Sequence, residues 1–230
     1  MKITDLKKCL GWKTVLPVIA LVHLALAGCI GGTSKPSRFY TLNPVRPAIV
    51  DGMDGSAQSG TPEASIGILP VEIPDYLDRP EIVTRTKSNE LQLAEYDRWG
   101  GDLRSDIARV LAENLAGQYP ERRVAVITGR RILPVEYRVV VNVTRLDAVP
   151  GGTVWLQAHW SIVDQVGQVL ARHDSNLNVP VRGNDYPSVV TAMSNAVDSL
   201  GNQVAGALKP MLANAATEKE SSGRAAAGVD

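Results

Sequence analysis

Residues 135–146 read VEYRVVVNVTRL, with Val135, Tyr137, Val139, Val141 and Val143 at every second position and Glu136, Arg138, Asn142 and Thr144 among the residues between them. Side chains in a strand point alternately to opposite faces, so the five apolar groups share one face and the polar ones the other. Downstream, residues 154–163 and 168–178 have the same strand character. They are joined at Gln165-Val166-Gly167, a connection too short for a parallel crossover. The three segments therefore predict an antiparallel meander.

Helical periods flank this meander. Leu103, Ile107, Val110, Leu111 and Leu115 recur at helical spacing after Asp102, a side chain suited to capping the first turn, and Pro120 lies beyond the end. A second stripe, Val189, Val190, Met193, Val197, Leu200, Val204 and Leu208, predicts a helix over 187–208, with Pro187 suited to its first turn and Pro210 ending it. Such stripes bury against a core. The remaining segments are shorter. Residues 38–42 (RFYTL), 65–73 (SIGILPVEI) and 123–128 (RVAVIT, a buried strand) read as strands, and 82–86 with 91–96 as a hairpin about Ser88-Asn89. The pattern predicts an α+β fold: a largely antiparallel sheet with two amphipathic helices packed on it, a single domain over 38–210. Residues 43–64 are rich in Pro, Gly and Ser and read as a flexible loop, and 211–230 as a disordered tail.

The N-terminus carries a different signal. Lys2, Lys7, Lys8 and Lys13 stand against a single Asp5, and the uncharged run TVLPVIALVHLALA follows at 14–27. A basic segment, a short apolar run and small residues before a cleavage point are the order of a secretory signal. The run is shorter than the roughly 20 apolar residues that span a bilayer. Cys29 follows at once. As a thiol it could be a metal ligand, half of a disulfide, a buried small hydrophobe or an attachment point. The one other cysteine, Cys9, lies inside the signal at 1–28 and is lost with it. Leu26-Ala27-Gly28-Cys29 is similar to the bacterial lipobox, in which the cysteine receives lipid. One acyl chain binds a membrane marginally and two or more anchor stably, at about 0.8 kcal/mol per buried CH₂. Cys29 is therefore expected to be a lipid anchor, and Ile30, where Asp would retain a lipoprotein at the inner membrane, points to the outer one. Residues 29–37 are the anchored tether. Its eight residues beyond Cys29 reach at most about 28 Å, so the domain is held close to its membrane.

Composition excludes other classes. The chain has 24 basic and 24 acidic side chains, which become 20 and 23 once residues 1–28 are removed. A weakly acidic chain with a single Phe is poorly suited to nucleic acid. His159 and His173 are the histidines beyond the signal, few for metal chemistry, and no zinc-protease, nucleophile-elbow or phosphate-loop motif is present. His159 shares a strand face with Trp155, Gln157 and Ser161. An envelope hydrolase would use His159, paired with Ser161, or His173, whereas solvated strand side chains explain the same pattern. No enzyme activity and no cofactor beyond the covalent lipid are expected.

The stretch at 71–101 (VEIPDYLDRPEIVTRTKSNELQLAEYDRWGG) is neither plain core nor plain loop. Pro74 and Pro80 hold their preceding residues extended. Tyr76, Arg79, Arg85, Tyr96, Arg98 and Trp99, with Asp78, gather the aromatic and arginine types enriched at protein interfaces. Tyr76, Asp78, Arg79, Arg85, Tyr96 and Trp99 are the candidate partner-binding set. Local scaffolding is the alternative, with Asp78 paired to Arg79 or Arg85 and Trp99 packed under the following helix.

The lipobox, R-F-Y-T-L, I-P-D-Y-L-D-R-P-E-I-V-T-R, N-E-L-Q-L-A-E-Y-D-R-W and R-V-L-A-E-N-L, in that order, resemble the auxiliary lipoproteins of MCE-type (mammalian cell entry) transport systems. Gly100-Gly101 and the loop at 43–64 depart from that pattern. The resemblance implies a lipoprotein of the outer membrane facing the periplasm in a Gram-negative bacterium. It would dock an MCE-domain periplasmic protein of a lipid transport system, support membrane integrity and possess the capacity to form a homo-oligomeric ring. A lipid-binding carrier with a pocket between sheet and helices is the competing expectation.

Overall fold

The structure, a computed structural model, describes residues 35–45, 65–128 and 135–227. The elements run β1 (Arg38–Tyr40), β2 (Ile66–Ile68), a 3-10 turn (Asp75–Leu77), β3 (Glu81–Lys87), β4 (Glu90–Trp99), α1 (Leu103–Gln118), β5 (Val124–Val126), β6 (Tyr137–Ala148), β7 (Thr153–Val163), β8 (Val169–Pro180) and α2 (Tyr186–Ala227). The predicted signal, the tether up to residue 34 and most of the 43–64 loop lie outside the described residues. The fold is α+β, as the patterning predicts.

The strands among the described residues form two sheets. The meander is present as β6–β7–β8, all antiparallel, and β2 and β5 extend it in parallel to give the order β5-β2-β6-β7-β8. The second sheet has the order β1-β4-β3, in which the β3–β4 hairpin is antiparallel and β1 joins β4 in parallel. The segment at 65–73 is a strand only over its first residues. It then leaves and returns to β6 as a single bridge between Glu72 and Asn142. β5 is half-buried, since it lies at the sheet edge where one flank stays open.

In β6, Val139, Val141 and Val143 are buried, but after a register shift between Val143 and Arg145 the core positions become Leu146 and Ala148. The extra residue of a bulge reverses which parity faces inward. Arg145 and Asp147 then lie opposite Gln157 and Trp155, on the face away from the Leu146, Leu156 and Val154 core set.

Both helices form as their periods dictate. Asp102 accepts a hydrogen bond from the Arg104 backbone N–H at 3.1 Å, and Ile107, Val110, Leu111 and Leu115 are buried. At the start of α2 the Asp185 carboxylate accepts from the Ser188 N–H at 3.1 Å. Met193, Val197, Leu200, Val204 and Leu208 are buried, and α2 packs on β7, β8 and α1. The helix does not end at Pro210, and helix replaces the predicted disordered tail as far as Ala227. Pro210 forfeits one backbone hydrogen bond. Leu212 is nonetheless buried beyond it, and the Tyr137 hydroxyl donates to the Met211 carbonyl at 3.2 Å, so tertiary contacts carry the helix through.

Gly67 on β2 sits between two neighbouring strands so closely that an added Cβ would lie 2.3 Å from Ile127 Cδ1 and 3.1 Å from Val135 Cγ2. Gly67→Ala is therefore expected to destabilise the domain by about 1–3 kcal/mol, as overpacking does. A urea midpoint equal to that of the parent would show that the strand shifts without cost.

Candidate docking surface

The 71–101 stretch folds around a buried plug. Leu77 is buried at the end of the 3-10 turn, which is closed by Leu77 N–H to Pro74 O at 2.9 Å and Asp78 N–H to Asp75 O at 3.2 Å. This turn presents Asp78 and Arg79 outward. Asp78 pairs with Arg104 of α1 at 2.8 Å, which corrects the expected pairing with Arg79 or Arg85. Arg85 is taken instead by Asp147, and the first turn of α1 brings Arg104 within reach of Asp78. Arg79 is exposed and has no ion pair among the described residues.

Tyr76 and Arg85 meet at a residue that the sequence reading missed. Asp147 is 0% exposed, and its carboxylate takes both Arg85 Nε (3.1 Å) and Arg85 Nη2 (2.6 Å) on Oδ2, and Arg145 Nε (3.0 Å) on Oδ1. Arg145 also lies over the Trp155 ring, 4.7 Å from its centroid, a cation–π contact. The Tyr76 hydroxyl bonds to the backbone of Leu146, and burial, followed by the Asp147 carboxylate, raises its pKa above the ordinary tyrosine value. Arg85 belongs to β3 and Asp147 to β6, so this cluster ties one sheet to the other. The visible signal for it was the shift of apolar parity from Val143 to Leu146, which turns Asp147 off the strict alternation.

Trp99 is 5% exposed within the hydrophobic core, and its backbone N–H donates to Pro80 O at 2.7 Å. It supports the turn from beneath and offers no docking surface, and Arg85 likewise is committed to Asp147. Tyr96 is half-buried on β4, its pKa raised by hydrogen bonding to Glu95. On the same strand face lie Arg98, paired with Glu81 at 3.3 Å, and Phe39, its cross-strand neighbour, which is 67% exposed. The outward set is therefore Tyr96, Arg79, Asp78 and, unforeseen, Phe39. Cys29 lies outside the described residues.

The first described residues after the tether are clamped. Arg38 Nη2 and the Tyr40 hydroxyl both reach Asp97 Oδ1, at 2.8 and 2.7 Å. The Leu42 N–H donates to Asp106 Oδ2 at 2.6 Å, and Arg109, itself bonded to Asp106, donates to the Leu42 carbonyl at 2.6 Å. Burial and then the Asp97 carboxylate push the Tyr40 hydroxyl up to about 12 from 10.0. Its neutral form is the one the fold favours, so the stabilisation is complete below pH 10 and is lost as pH rises through 12. Tyr40→Phe is expected to cost about 1.5 kcal/mol at neutral pH, the low end for a bond to a charged partner because Arg38 remains. It should also flatten the decline of the urea midpoint over that alkaline range; an unchanged decline would assign it elsewhere.

A surface groove of ≈ 670 Å³ is lined by Pro70, Glu72, Pro74, Arg104, Asn142 and Thr144, next to the Asp78–Arg104 pair. The space between helices and meander, where a carried ligand would sit, is filled by Val141, Leu156, Ala158, Leu111, Val197 and Leu200. His159 Nδ1 lies 2.5 Å from Asp174 Oδ1, both side chains open to solvent, and His173 stacks on Trp160 at 4.7 Å between centroids. Among the described residues no hydrogen bond joins Ser161 to His159, and no group of three or more His, Cys, Asp or Glu could hold a metal ion. No helix among them is long and apolar enough to cross a membrane.

Fold and surface define a class: an α+β domain with a packed interior and a rim of arginine and aromatic side chains. The chain belongs to the family of ABC-type transport auxiliary lipoprotein components, whose model matches residues 40–205. That family is one of transport accessories and not of enzymes. The chain is 24% identical over 155 residues to the intermembrane transport lipoprotein PqiC of Escherichia coli (strain K12), covering 67% of this chain and 77% of that protein. The PqiC of Shigella flexneri matches equally. The crystal structure of an uncharacterized protein superposes with a TM-score of 0.58 at 18% identity, covering 74% of this chain and 97% of that one. A Xanthomonas campestris protein gives 0.57 at 15%, covering 79% and 99%. These two likenesses support the fold alone.

Proposed function

We propose that the protein is a lipid-anchored accessory subunit of an intermembrane lipid transport system. Cys29 holds it at the periplasmic face of the outer membrane, and the domain docks an MCE-domain periplasmic protein and so supports membrane integrity. The observation that carries this reading is the family match across 40–205, joined to the likeness to a lipoprotein named for intermembrane transport. The packed interior favours docking over carriage, because an internal cargo would have to displace buried side chains. Exposed Arg79 and Asp78 and half-buried Tyr96 supply arginine, acid and aromatic groups for a partner, and Arg85 and Trp99 hold them in place.

The test is photo-crosslinking from position 79 in full-length protein extracted from envelopes, with mass spectrometry of the adduct. An MCE-domain protein in the adduct is the expected result. Adducts to this chain alone would make the segment a contact between copies. Arg79→Ala is expected to leave stability within about 0.5 kcal/mol of the parent, as exposed substitutions do. Partner capture should fall by roughly tenfold or more, the scale of an interface arginine. Unchanged capture would remove Arg79 from the site.

A further inference from the structure

β1 runs parallel to β4 with Arg38 opposite Asp97 and Tyr40 opposite Trp99. The part of β4 before Asp97 therefore extends in the direction from which the chain arrives at Arg38. Glu90 lies seven residues before Asp97 and pairs with Lys87, so the β3–β4 hairpin projects about 23 Å past the level of Arg38 at roughly 3.3 Å per residue. All residues from 86 to 93 are exposed. Leu91 and Leu93, on one strand face, are 38% and 45% exposed.

We infer that this hairpin is a membrane-facing arm whose Leu91 and Leu93 lie in the headgroup region of the bilayer that holds the Cys29 lipid. The inference rests on the lipid anchor of the proposed function. Lengths decide it. The eight tether residues 30–37 (IGGTSKPS) reach at most about 28 Å at full extension, at ~3.5 Å each. The arm takes up all but about 5 Å of that reach. A tether of this length draws the arm tip onto the surface before Arg38 can approach it. The tip carries little net charge, because Lys87 pairs with Glu90 at 3.2 Å, so burial of the leucines and not attraction to anionic lipid drives the contact. Contact with the bilayer would also set the domain's orientation, since the arm and the clamped β1 strand share one rigid sheet.

The experiment uses the full-length lipidated protein in vesicles of phosphatidylethanolamine and phosphatidylglycerol, with an environment-sensitive NBD label at Leu91→Cys. A second protein carries the label at Val166→Cys, in the β7–β8 turn and 87% exposed. The expected result is blue-shifted emission at position 91, quenched severalfold more than at 166 by nitroxide-labelled lipid and unchanged by high salt. Protein retained on vesicles with position 91 reporting water would overturn the arm and leave the anchor standing. A blue shift that lipid nitroxides do not quench would mean that a second copy covers the leucines, and this also overturns the inference. Mass spectrometry of the N-terminal peptide separates the last case: an unmodified Cys29 overturns the anchor and the arm together.

Discussion

Asp147→Ala is expected to destabilise the domain by about 3 kcal/mol, near the lower end of what breaking a buried ion pair costs. The carboxylate itself is 0% exposed, whereas the side chains of Arg85 and Arg145 keep 19% and 27% of their surface, so solvent relieves part of the charge left behind. Removing both guanidinium groups in Arg85→Ala/Arg145→Ala should be at least as damaging, because the buried carboxylate would then have lost its two ionic partners. Urea unfolding of the three proteins and of the triple variant gives the coupling directly. A loss under about 1 kcal/mol for Asp147→Ala would mean that apolar packing alone joins the sheets. The consequence reaches function: Arg85 and Tyr76 flank the turn that presents Asp78 and Arg79, so a freed turn should weaken crosslinking from position 79 even where the protein stays folded.

Cys29→Ala is expected to shift the protein from the membrane fraction to the soluble periplasm and to abolish labelling by palmitate. With two or more acyl chains removed at about 0.8 kcal/mol per buried CH₂, partitioning falls by many orders of magnitude. The isolated domain should keep its unfolding midpoint, because the buried apolar cluster among the described residues begins at Leu42. Partner capture in cells should fall with release, since anchoring raises the local concentration of one protein near the other. Flotation of the Cys29→Ala protein with membranes at parental levels would sink the anchor assignment.

The residue types of the docking surface were legible and their division of labour was not. Arg79 and Trp99 sit twenty positions apart in one aromatic and arginine-rich stretch, yet one is exposed and the other lies in the core. Composition cannot distinguish them, because tryptophan and arginine serve interfaces and scaffolds alike. Asp147 was overlooked for a related reason. Its partner Arg85 lies 62 residues away, and its burial follows from a bulge that strict alternation does not anticipate.

Local periodicity by itself determined the meander, both helix stripes and the Asp102 cap, because each depends on which side chains recur on one face within a few turns or pleats. Pro210 shows the limit of that logic: a local breaker signalled a stop, and Leu212 burial with the Tyr137–Met211 bond overrode it. Only the tertiary structure decided that the strands divide into two sheets, that β1 pairs in parallel with β4, and that Asp147 binds them together. Those are choices among distant partners, and their free energies depend on register and burial that no short window of sequence contains.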